Sequence, residues 1–309
     1  MNVPDQAHET RARRIHAETP VILPHDHEPL SDDLDRCLAA GICGKVAMPV
    51  IDILLDHPDP ISTHDVREGW AKLALAEYGR LFRDIEASGG RAFIATSADD
   101  FLRAHAERTL GVMLGAEGGN LIEGSLDLLH CFYRLGLRFL QLTWAFPNHI
   151  ARPGGRDGSG LTAFGRALIP ELNRLGVMID IGHAGYATLY QVLELSSQPV
   201  LMAHGGADGA VRRSRHPQWG VSAPGVFWDD NAIRALVQAG GLFGVNFFAP
   251  VYFRDENAFC DVTLDDVIPH FEYIAELVGA DGLSIGPDYF PNYGGWERLE
   301  RSQNSDHLR

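Results

Sequence analysis

The chain has 309 residues, of which 45% are hydrophobic, so it can bury a large core, and a single α/β barrel domain commonly has this length. Its 26 basic and 41 acidic residues give a net charge of −15, which argues against nucleic acid and anionic membrane surfaces as partners. Residues 1–19 lack the apolar segment of a secretory signal, and no run of about 18 apolar residues is present. We therefore expect a soluble cytoplasmic protein.

Short apolar runs rich in β-branched residues predict buried strands, because such runs are too short for core helices. In chain order, eight principal strands are predicted at residues 21–25, 44–50, 110–117, 137–144, 177–183, 199–204, 241–248 and 282–288, with a short additional strand near residues 92–97. Helical patterns separate them at residues 66–88, 98–108, 122–135, 163–175, 185–195, 230–239 and 263–278. This alternation predicts a parallel sheet with right-handed crossovers, and eight units predict a (β/α)8 TIM-like barrel.

The whole chain, residues 1–309, is expected to form one barrel domain, with a polar N-terminal extension at residues 1–19 and a short C-terminal tail at about residues 290–309. Residues 145–162 and 205–229 are too long for simple connections and are rich in glycine, proline and aromatic residues. Each follows a strand at its carboxyl end. Long loops at that end of a barrel usually form the substrate pocket.

Histidine or carboxylate side chains stand at the carboxyl ends of several predicted strands. The first strand ends in His25-Asp26-His27, and both imidazoles can reach one cation because strand side chains repeat every two residues. Later strands end in Glu117, His183, His204 and Asp288. Parallel strands bring their carboxyl ends together at one face, so the pattern predicts a metal-dependent hydrolase.

Each of these residues also has a simpler explanation when it is considered alone. A histidine at a strand end can be an exposed residue or a hydrogen-bonded core residue. Glu117 can be a buried carboxylate paired with an arginine, since its burial requires a positive partner. Asp288 can be a helix N-cap, whereas in a metal hydrolase it can act as general base and pass the proton to the leaving amine.

A series of motifs occurs in a fixed order along the chain. The series consists of Ala116-Glu117-Gly118-Gly119, Leu142-Thr143-Trp144 with Asn148, Gly160 to Gly165, Asn173 to His183, His204, Gly244 to Phe248, and Gly286-Pro287-Asp288. It resembles the membrane (renal) dipeptidase family of the amidohydrolase superfamily over about residues 20–290. The segment from Leu161 to His183 is the most specific part, because so long an ordered match rarely arises by chance.

The resemblance implies a metallopeptidase with two zinc ions on a (β/α)8 barrel, although other divalent metals can serve. By the family pattern, the ligands of the two ions would be His25, His27 and Glu117 for one, and Glu117, His183 and His204 for the other. Two zinc ions would lower the pKa of a bridging water and polarise the peptide carbonyl. Asp288 matches the family's catalytic carboxylate, so Asp288 and the bridging Glu117 are the implied catalytic residues.

The chain departs from the family at implied site positions. Where the family has His-x-Asp, this chain has His27, so either His27 ligates instead or the first metal is weakened. A family histidine that helps to hold the substrate carbonyl is Trp144 here, and Trp144 and Asn148 are expected to line the substrate site. The family arginine that binds the substrate carboxylate corresponds by spacing to Arg215 and by local pattern to Gln218. We favour Arg215, because an acidic protein needs a local cation to bind an anionic dipeptide.

The sequence therefore favours a metal-dependent dipeptidase that acts on small dipeptides, with no nucleic-acid or membrane partner. Because the C-terminal tail is short, we expect the N-terminal segment or a partner subunit, as in a homodimer, to complete the cover of the barrel. Two alternatives stay open. Another amidohydrolase reaction on a small amide or lactone would fit His27 and Trp144, and a catalytically weakened homologue would fit the altered first motif.

Overall fold

Eight parallel strands form the wall of a nearly closed barrel. The computed structural model describes residues 6–48, 69–144, 147–154, 160–213, 227–247 and 264–289. Its strands are β1 (Val21–Asp26), β2 (Ile42–Ala47), β3 (Ala92–Ile94), β4 (Leu110–Ala116), β5 (Leu137–Gln141), β6 (Met178–Asp180), β7 (Val200–Ala207), β8 (Phe227–Trp228), β9 (Leu242–Asn246) and β10 (Leu283–Gly286). The barrel order is β1-β2-β4-β5-β6-β7-β9-β10, and β3 and β8 pair with β4 and β7 outside that order. The predicted (β/α)8 architecture is confirmed.

The seam of the barrel lies between its first and last strands. An isolated parallel bridge joins Asp26 to Tyr289 just beyond β10. The N–H of Asp288 donates to the carbonyl oxygen of His25 at 3.2 Å, and the N–H of His27 donates to that of Tyr289 at 2.9 Å. Backbone hydrogen bonds of the two strand ends therefore close the barrel at its carboxyl end.

Helices cover the outside of this wall. Among the described residues they are α1 (Gln6–Glu18), α2 (Leu30–Ala39), α3 (Trp70–Ala87), α4 (Ala98–Glu107), α5 (Leu126–Leu135), α6 (Ala163–Leu175), α7 (Tyr186–Leu195), α8 (Asp208–Arg213), α9 (Asp230–Gln238) and α10 (Leu264–Val278). The hydroxyl of Thr162 caps α6 by accepting the N–H of Gly165 at 3.0 Å, and Gly176 ends the helix in a left-handed conformation. None of the described helices is both long and apolar enough to cross a bilayer.

The continuous apolar runs are explained by burial on both faces of the wall. Every residue of β4 is buried, because one face lies in the barrel and the other lies under the helices. Leu110, Val112 and Leu114 belong to the main hydrophobic core, whereas Met113 belongs to a smaller cluster with Phe101. Strands of this kind do not show alternating hydrophobicity, which is why length and composition identify them in the sequence.

Three helices are absent from the sequence prediction. α1 lies in the segment expected as a polar extension. None of its residues is buried, so its sequence lacks the apolar periodicity that predicts a helix. α2 buries Leu30, Leu34 and Cys37, which have helical spacing. The acidic residues between them make this segment of the sequence look like a polar loop. α8 is too short to give a periodic signal.

Several element ends also differ from the prediction. The strand predicted at residues 177–183 ends at Asp180, because the chain turns before His183, which has a φ of 60°. The helix predicted at residues 122–135 begins at Leu126, because Asn120–Ile122 forms a 3-10 turn. The strand predicted at residues 137–144 ends at Gln141. Predicted ends at residues 49–50, 66–68, 248 and 263 and the tail from residue 290 lie outside the described residues.

Two glycines allow close backbone approach beside the strand that carries His204. A Cβ added to Gly244 in β9 or to Gly286 in β10 would overlap the carbonyl oxygen of Ala203 in β7. The narrow spacing of the backbone at this end of the barrel therefore depends on the absence of these two side chains.

We expect Gly286→Ala to lower the free energy of unfolding by about 1–3 kcal/mol, because the added methyl must displace the backbone at Ala203. The matched variant Gly79→Ala adds the same methyl in α3, where Arg83 is the nearest neighbour at 3.9 Å. It should raise the free energy of unfolding by about 0.5–1 kcal/mol. Urea unfolding measures both effects. Equal stability of Gly286→Ala and the parent would contradict the close approach.

Candidate metal centre

Six side chains meet at the carboxyl end of the barrel. His25 and His27 stand at the end of β1, Glu117 follows β4, and His183 follows β6. His204 lies in β7, and Asp288 follows β10. All are buried except His183, whose side chain is 19% exposed. The structure therefore brings together every strand-end residue that the sequence singled out, while the roles of these residues stay predictions.

The first two histidines form a close imidazole pair. The Nε2 atoms of His25 and His27 lie 3.0 Å apart. Glu117 faces both rings, with Oε1 3.6 Å from Nε2 of His25 and Oε2 3.2 Å from Nε2 of His27. Two ring nitrogens and a carboxylate oxygen thus point into one small volume.

A second imidazole pair contacts the same carboxylate. The Nε2 atoms of His183 and His204 are also 3.0 Å apart. Oε1 of Glu117 lies 3.1 Å from Nε2 of His183 and 3.6 Å from Nε2 of His204. Oε1 of Glu117 therefore faces His25 as well as both histidines of the second pair, whereas Oε2 faces His27.

The chemistry of these donors fits divalent metal ions. Two nitrogens bound to one zinc at about 2.0–2.1 Å in tetrahedral geometry lie about 3.3 Å apart, close to the observed spacing. Nδ1 of His27 lies 2.8 Å from the carbonyl oxygen of Met48, and a proton on that nitrogen leaves Nε2 with a free electron pair toward the centre. Three groups of possible ligands have donor atoms within 4.8 Å of one another: His25, His27 and Glu117; Glu117, His183 and His204; and His25, His204 and Asp288.

The electrostatics of the centre also favour a cation. Burial opposes protonation of His27, but the charge of Glu117 and the nearby carboxylate of Asp288 outweigh it and raise its pKa to about 10. Burial would likewise raise the pKa of Glu117, yet the imidazoles, His27 first among them, hold it well below its ordinary range. The carboxylates of Glu117 and Asp288 therefore stabilise positive charge beside the imidazoles. A divalent metal ion supplies more of that charge than a proton does.

Asp288 directs one oxygen toward the centre and the other toward the barrel wall. Its Oδ2 accepts a hydrogen bond from Nδ2 of Asn246 in β9 at 3.0 Å. Its Oδ1 lies 3.5 Å from Nε2 of His25 and 3.4 Å from Nε2 of His27, and it has no hydrogen-bond partner. Asn246 thus fixes the carboxylate in an orientation that leaves one oxygen for chemistry.

Two of the six residues have left-handed backbone conformations. Among the described residues that are not glycine, His183 has a φ of 60° and Asp288 a φ of 55°, values that L-residues seldom adopt. The loop after β5 supports the first of these turns, because the N–H of Gly154 donates to the carbonyl oxygen of His183 at 2.7 Å and Pro153 forms a bridge with Ala184. Such backbone strain is typical of functional sites.

Asp180 connects the two strands that deliver the second imidazole pair. Its Oδ1 accepts the N–H of Gly182 at 2.9 Å and the N–H of Ala203 at 3.0 Å. Burial raises the pKa of Asp180 to about 7 despite these two donors. One buried oxygen thus fixes the backbone next to His183 and next to His204.

The predicted substrate residues have different surroundings. The ring of Trp144 lies 6.4 Å from that of His183, centroid to centroid, in an edge-on orientation. The amide of Asn148 is engaged in its own loop, because Nδ2 donates to Leu142 at 2.7 Å and Oδ1 accepts the N–H of Ile150 at 2.8 Å. Arg215 and its alternative Gln218 lie outside the described residues.

Two polar residues next to the centre are missing from the sequence prediction. Gln141 at the end of β5 is fully buried, and its Nε2 lies 3.5 Å from Oε1 of Glu117. Asn246 at the end of β9 is also fully buried and holds Asp288. Both are single polar residues at the ends of apolar runs, which is the signal that also marks the histidines.

We expect Asp180→Ala to destabilise the metal-free protein by about 2–4 kcal/mol, because it leaves two buried N–H groups without an acceptor. Asp180→Asn keeps an acceptor oxygen of the same geometry and should cost less than about 1 kcal/mol. Chemical unfolding in the presence of a chelator measures both values. Similar losses in the two variants would show that the charge of Asp180, and not its accepting oxygen, stabilises these turns.

Comparison with known proteins identifies the family. A sequence model of the membrane dipeptidase family (Peptidase family M19) matches residues 70–304, a range that begins after the His25-Asp26-His27 motif. Dipeptidase 3 of Macaca fascicularis is 31% identical over 229 residues, which cover 71% of this chain and 42% of that protein. The chain thus spans less than half the length of this curated relative.

Solved structures share the fold. An amidohydrolase from Pseudomonas aeruginosa superposes with a TM-score of 0.71 at 22% identity, covering 95% of this chain and 82% of its own. A metallo peptidase from Rhodobacter sphaeroides, liganded with a phosphinate mimic of the dipeptide L-Ala-D-Ala, gives 0.70 at 22% identity, with coverages of 87% and 86%. These likenesses show the barrel fold. The family match over residues 70–304 shows that this chain belongs to the membrane dipeptidase family.

Proposed function

We propose that the protein is a metal-dependent dipeptidase that hydrolyses the peptide bond of small dipeptides. The observation that carries the proposal is that Glu117 lies within 3.6 Å of both imidazole pairs, whose nitrogens lie 3.0 Å apart in each pair. A carboxylate that faces two nitrogen pairs suits two divalent ions that share it as a ligand. Membership of a dipeptidase family supports the same reaction class.

We assign two metal ions, zinc being the expected metal, to the two groups that share Glu117. Their ligands are His25, His27 and Glu117 for the first ion, and Glu117, His183 and His204 for the second. When bound, such ions supply Lewis acidity, which activates a water at neutral pH and polarises the scissile carbonyl. Because His27 and not Asp26 faces the centre, we assign the first-strand ligand to His27.

Asp288 is assigned as the general base. Its free oxygen Oδ1 faces His25 and His27, so it can take a proton from the attacking water and deliver it to the amine nitrogen of the leaving amino acid. Asn246 keeps this oxygen directed to the centre by holding the other one. The proton thus moves from water to the leaving group through a single carboxylate.

A dipeptide fits the proposed chemistry, and the relative from Rhodobacter sphaeroides was crystallised with a phosphinate mimic of L-Ala-D-Ala. We propose that Trp144 lines the substrate site, since its ring lies beside His183. Asn148 would contribute by shaping the loop after β5, and Arg215 would bind the substrate carboxylate. A different small amide or lactone is the second candidate substrate. The family has a histidine at this position, and the indole of Trp144 offers one N–H donor in place of the two ring nitrogens of an imidazole.

The parent protein should bind about two divalent ions per chain and hydrolyse members of a dipeptide panel. His183→Ala should lower the bound metal from about two to about one per chain and abolish hydrolysis, because it removes one of three protein ligands of one ion. Elemental analysis and amine release measure the two quantities. Two bound metals without dipeptide turnover in the parent would indicate the other amidohydrolase reaction, and no bound metal would indicate a weakened homologue.

Asp288→Asn should keep both metals and reduce kcat by roughly 10²-fold or more, which is the usual effect of losing a positioned acid–base group. KM should change little, because Asp288 does not hold the substrate in the ground state. Steady-state kinetics with metal analysis provide the measurement. A nearly normal kcat with both metals bound would exclude Asp288 as the general base.

A further inference from the structure

A buried cluster of charges lies directly behind the first imidazole pair. Lys45 in β2 has a side chain that is only 1% exposed. Its Nζ lies 2.9 Å from Oδ2 of Asp26 and 3.1 Å from Oδ2 of Asp33 in α2, and it donates to the carbonyl oxygen of Glu28 at 3.0 Å. One ammonium group therefore joins two strands, the loop after β1 and the helix that covers them.

The cluster and the metal centre lie on opposite faces of the same strand end. His25 and His27 direct their imidazoles into the barrel, whereas the carboxylate of Asp26, which stands between them, points to Lys45 and Asp33 beneath α2. This follows from the two-residue repeat of strand side chains. Within the described residues, Asp26 belongs to none of the groups that could hold a metal.

Hydrogen bonds transmit the position of Asp26 to His27. Oδ1 of Asp26 accepts the N–H of Glu28 at 2.8 Å, which fixes the backbone just after His27. The carbonyl oxygen of Asp26 accepts the N–H of Met48 at 2.9 Å, and the carbonyl oxygen of Met48 in turn lies 2.8 Å from Nδ1 of His27. The backbone before and after His27 and the tautomer of its ring are thus tied to the residue that Lys45 holds.

The choice of residue at position 45 is unusual for this chain. The sequence contains only two lysines, Lys45 and Lys72, and its other basic residues are arginines. Burial disfavours the ammonium of Lys45, but the charges of Asp26 and Asp33 outweigh this and raise its pKa above the ordinary value. Buried ion pairs contribute little to net stability compared with apolar residues of similar volume, so such a cluster is better explained by the geometry it specifies.

We propose that Lys45 is a positioning residue for the first metal centre, which fixes Asp26 and thereby the orientation of the imidazoles of His25 and His27. The proposal rests on the proposed function, because it takes this imidazole pair as part of a metal site. Lys45 touches neither substrate nor metal in this role. Its removal should therefore weaken one centre selectively and leave the other unaffected.

Two background variants separate the centres. His183→Ala leaves the ligands of the first centre intact, and His27→Ala leaves those of the second intact. Into each background we introduce the pair Lys45→Met with Asp26→Asn, which removes the ion pair without leaving its aspartate charged, while Asp33 keeps Arg36 at 3.2 Å. Metal-free proteins are titrated with Co²⁺ against a competing chelator, and the visible absorption of bound cobalt is recorded.

The affinity for Co²⁺ should fall by about 10–100-fold in the His183→Ala background, the range expected when a group that orients a ligand is lost. It should change less than about threefold in the His27→Ala background. Lys72→Met, the same chemical change on the exposed face of α3, should alter neither value. An equal loss in both backgrounds, or no loss in either, would overturn the proposal.

Folding of every variant is checked by circular dichroism and thermal unfolding. Should the double substitution prevent folding, Asp26→Asn alone makes the same comparison, because it keeps the acceptor for Glu28 and weakens only the bond to Lys45. Loss of folding in both would mean that the cluster stabilises the fold as a whole, which also overturns a positioning role. Absence of Co²⁺ binding by the parent would refute the proposed function itself, whereas normal binding with unaffected variants would refute only the role of Lys45.

Discussion

The structure depends on the balance of buried charge at one end of its barrel. Glu117 and Asp288 have side chains that are 5% and 9% exposed, and four imidazoles surround them. Removal of such carboxylates from water is unfavourable unless positive charge is fixed beside them. The left-handed turns, the glycines of β9 and β10 and the hydrogen bonds of Asp180 all serve to bring imidazole nitrogens within reach of these oxygens.

The sequence predicted the barrel and the convergence at its carboxyl end because both follow from local signals. Apolar runs of strand length ended in His25, Glu117, His183 and His204, and parallel strands must bring such ends together. The side on which each residue points was also accessible at the first strand, since alternation separates Asp26 from its histidine neighbours. Its partner Lys45 was not predictable, because that contact depends on the register of β1 against β2, which shifts along the pair.

Other elements could not be predicted for identifiable physical reasons. α1 has no buried residue, so no periodic pattern could identify it. α2 buries the charged Asp33 together with its apolar residues, which makes its inner face appear polar in the sequence. The turn at His183 is held by Gly154 and Pro153 from the loop after β5, and contacts between residues so far apart in sequence leave no local pattern. Side-chain hydrogen bonds such as that of Asn246 to Asp288 need the three-dimensional register of two strands.

The seam between β1 and β10 has a consequence for the stage of synthesis at which the candidate metal centre can form. The hydrogen bonds that close the barrel belong to the backbone of His25, His27 and Asp288, so closure and assembly of the site are one event. These residues are distant in sequence, and contacts of that kind form slowly because closing the long intervening loop costs entropy. A chain emerging from the ribosome therefore cannot bring all six side chains of the centre together until β10 has been released.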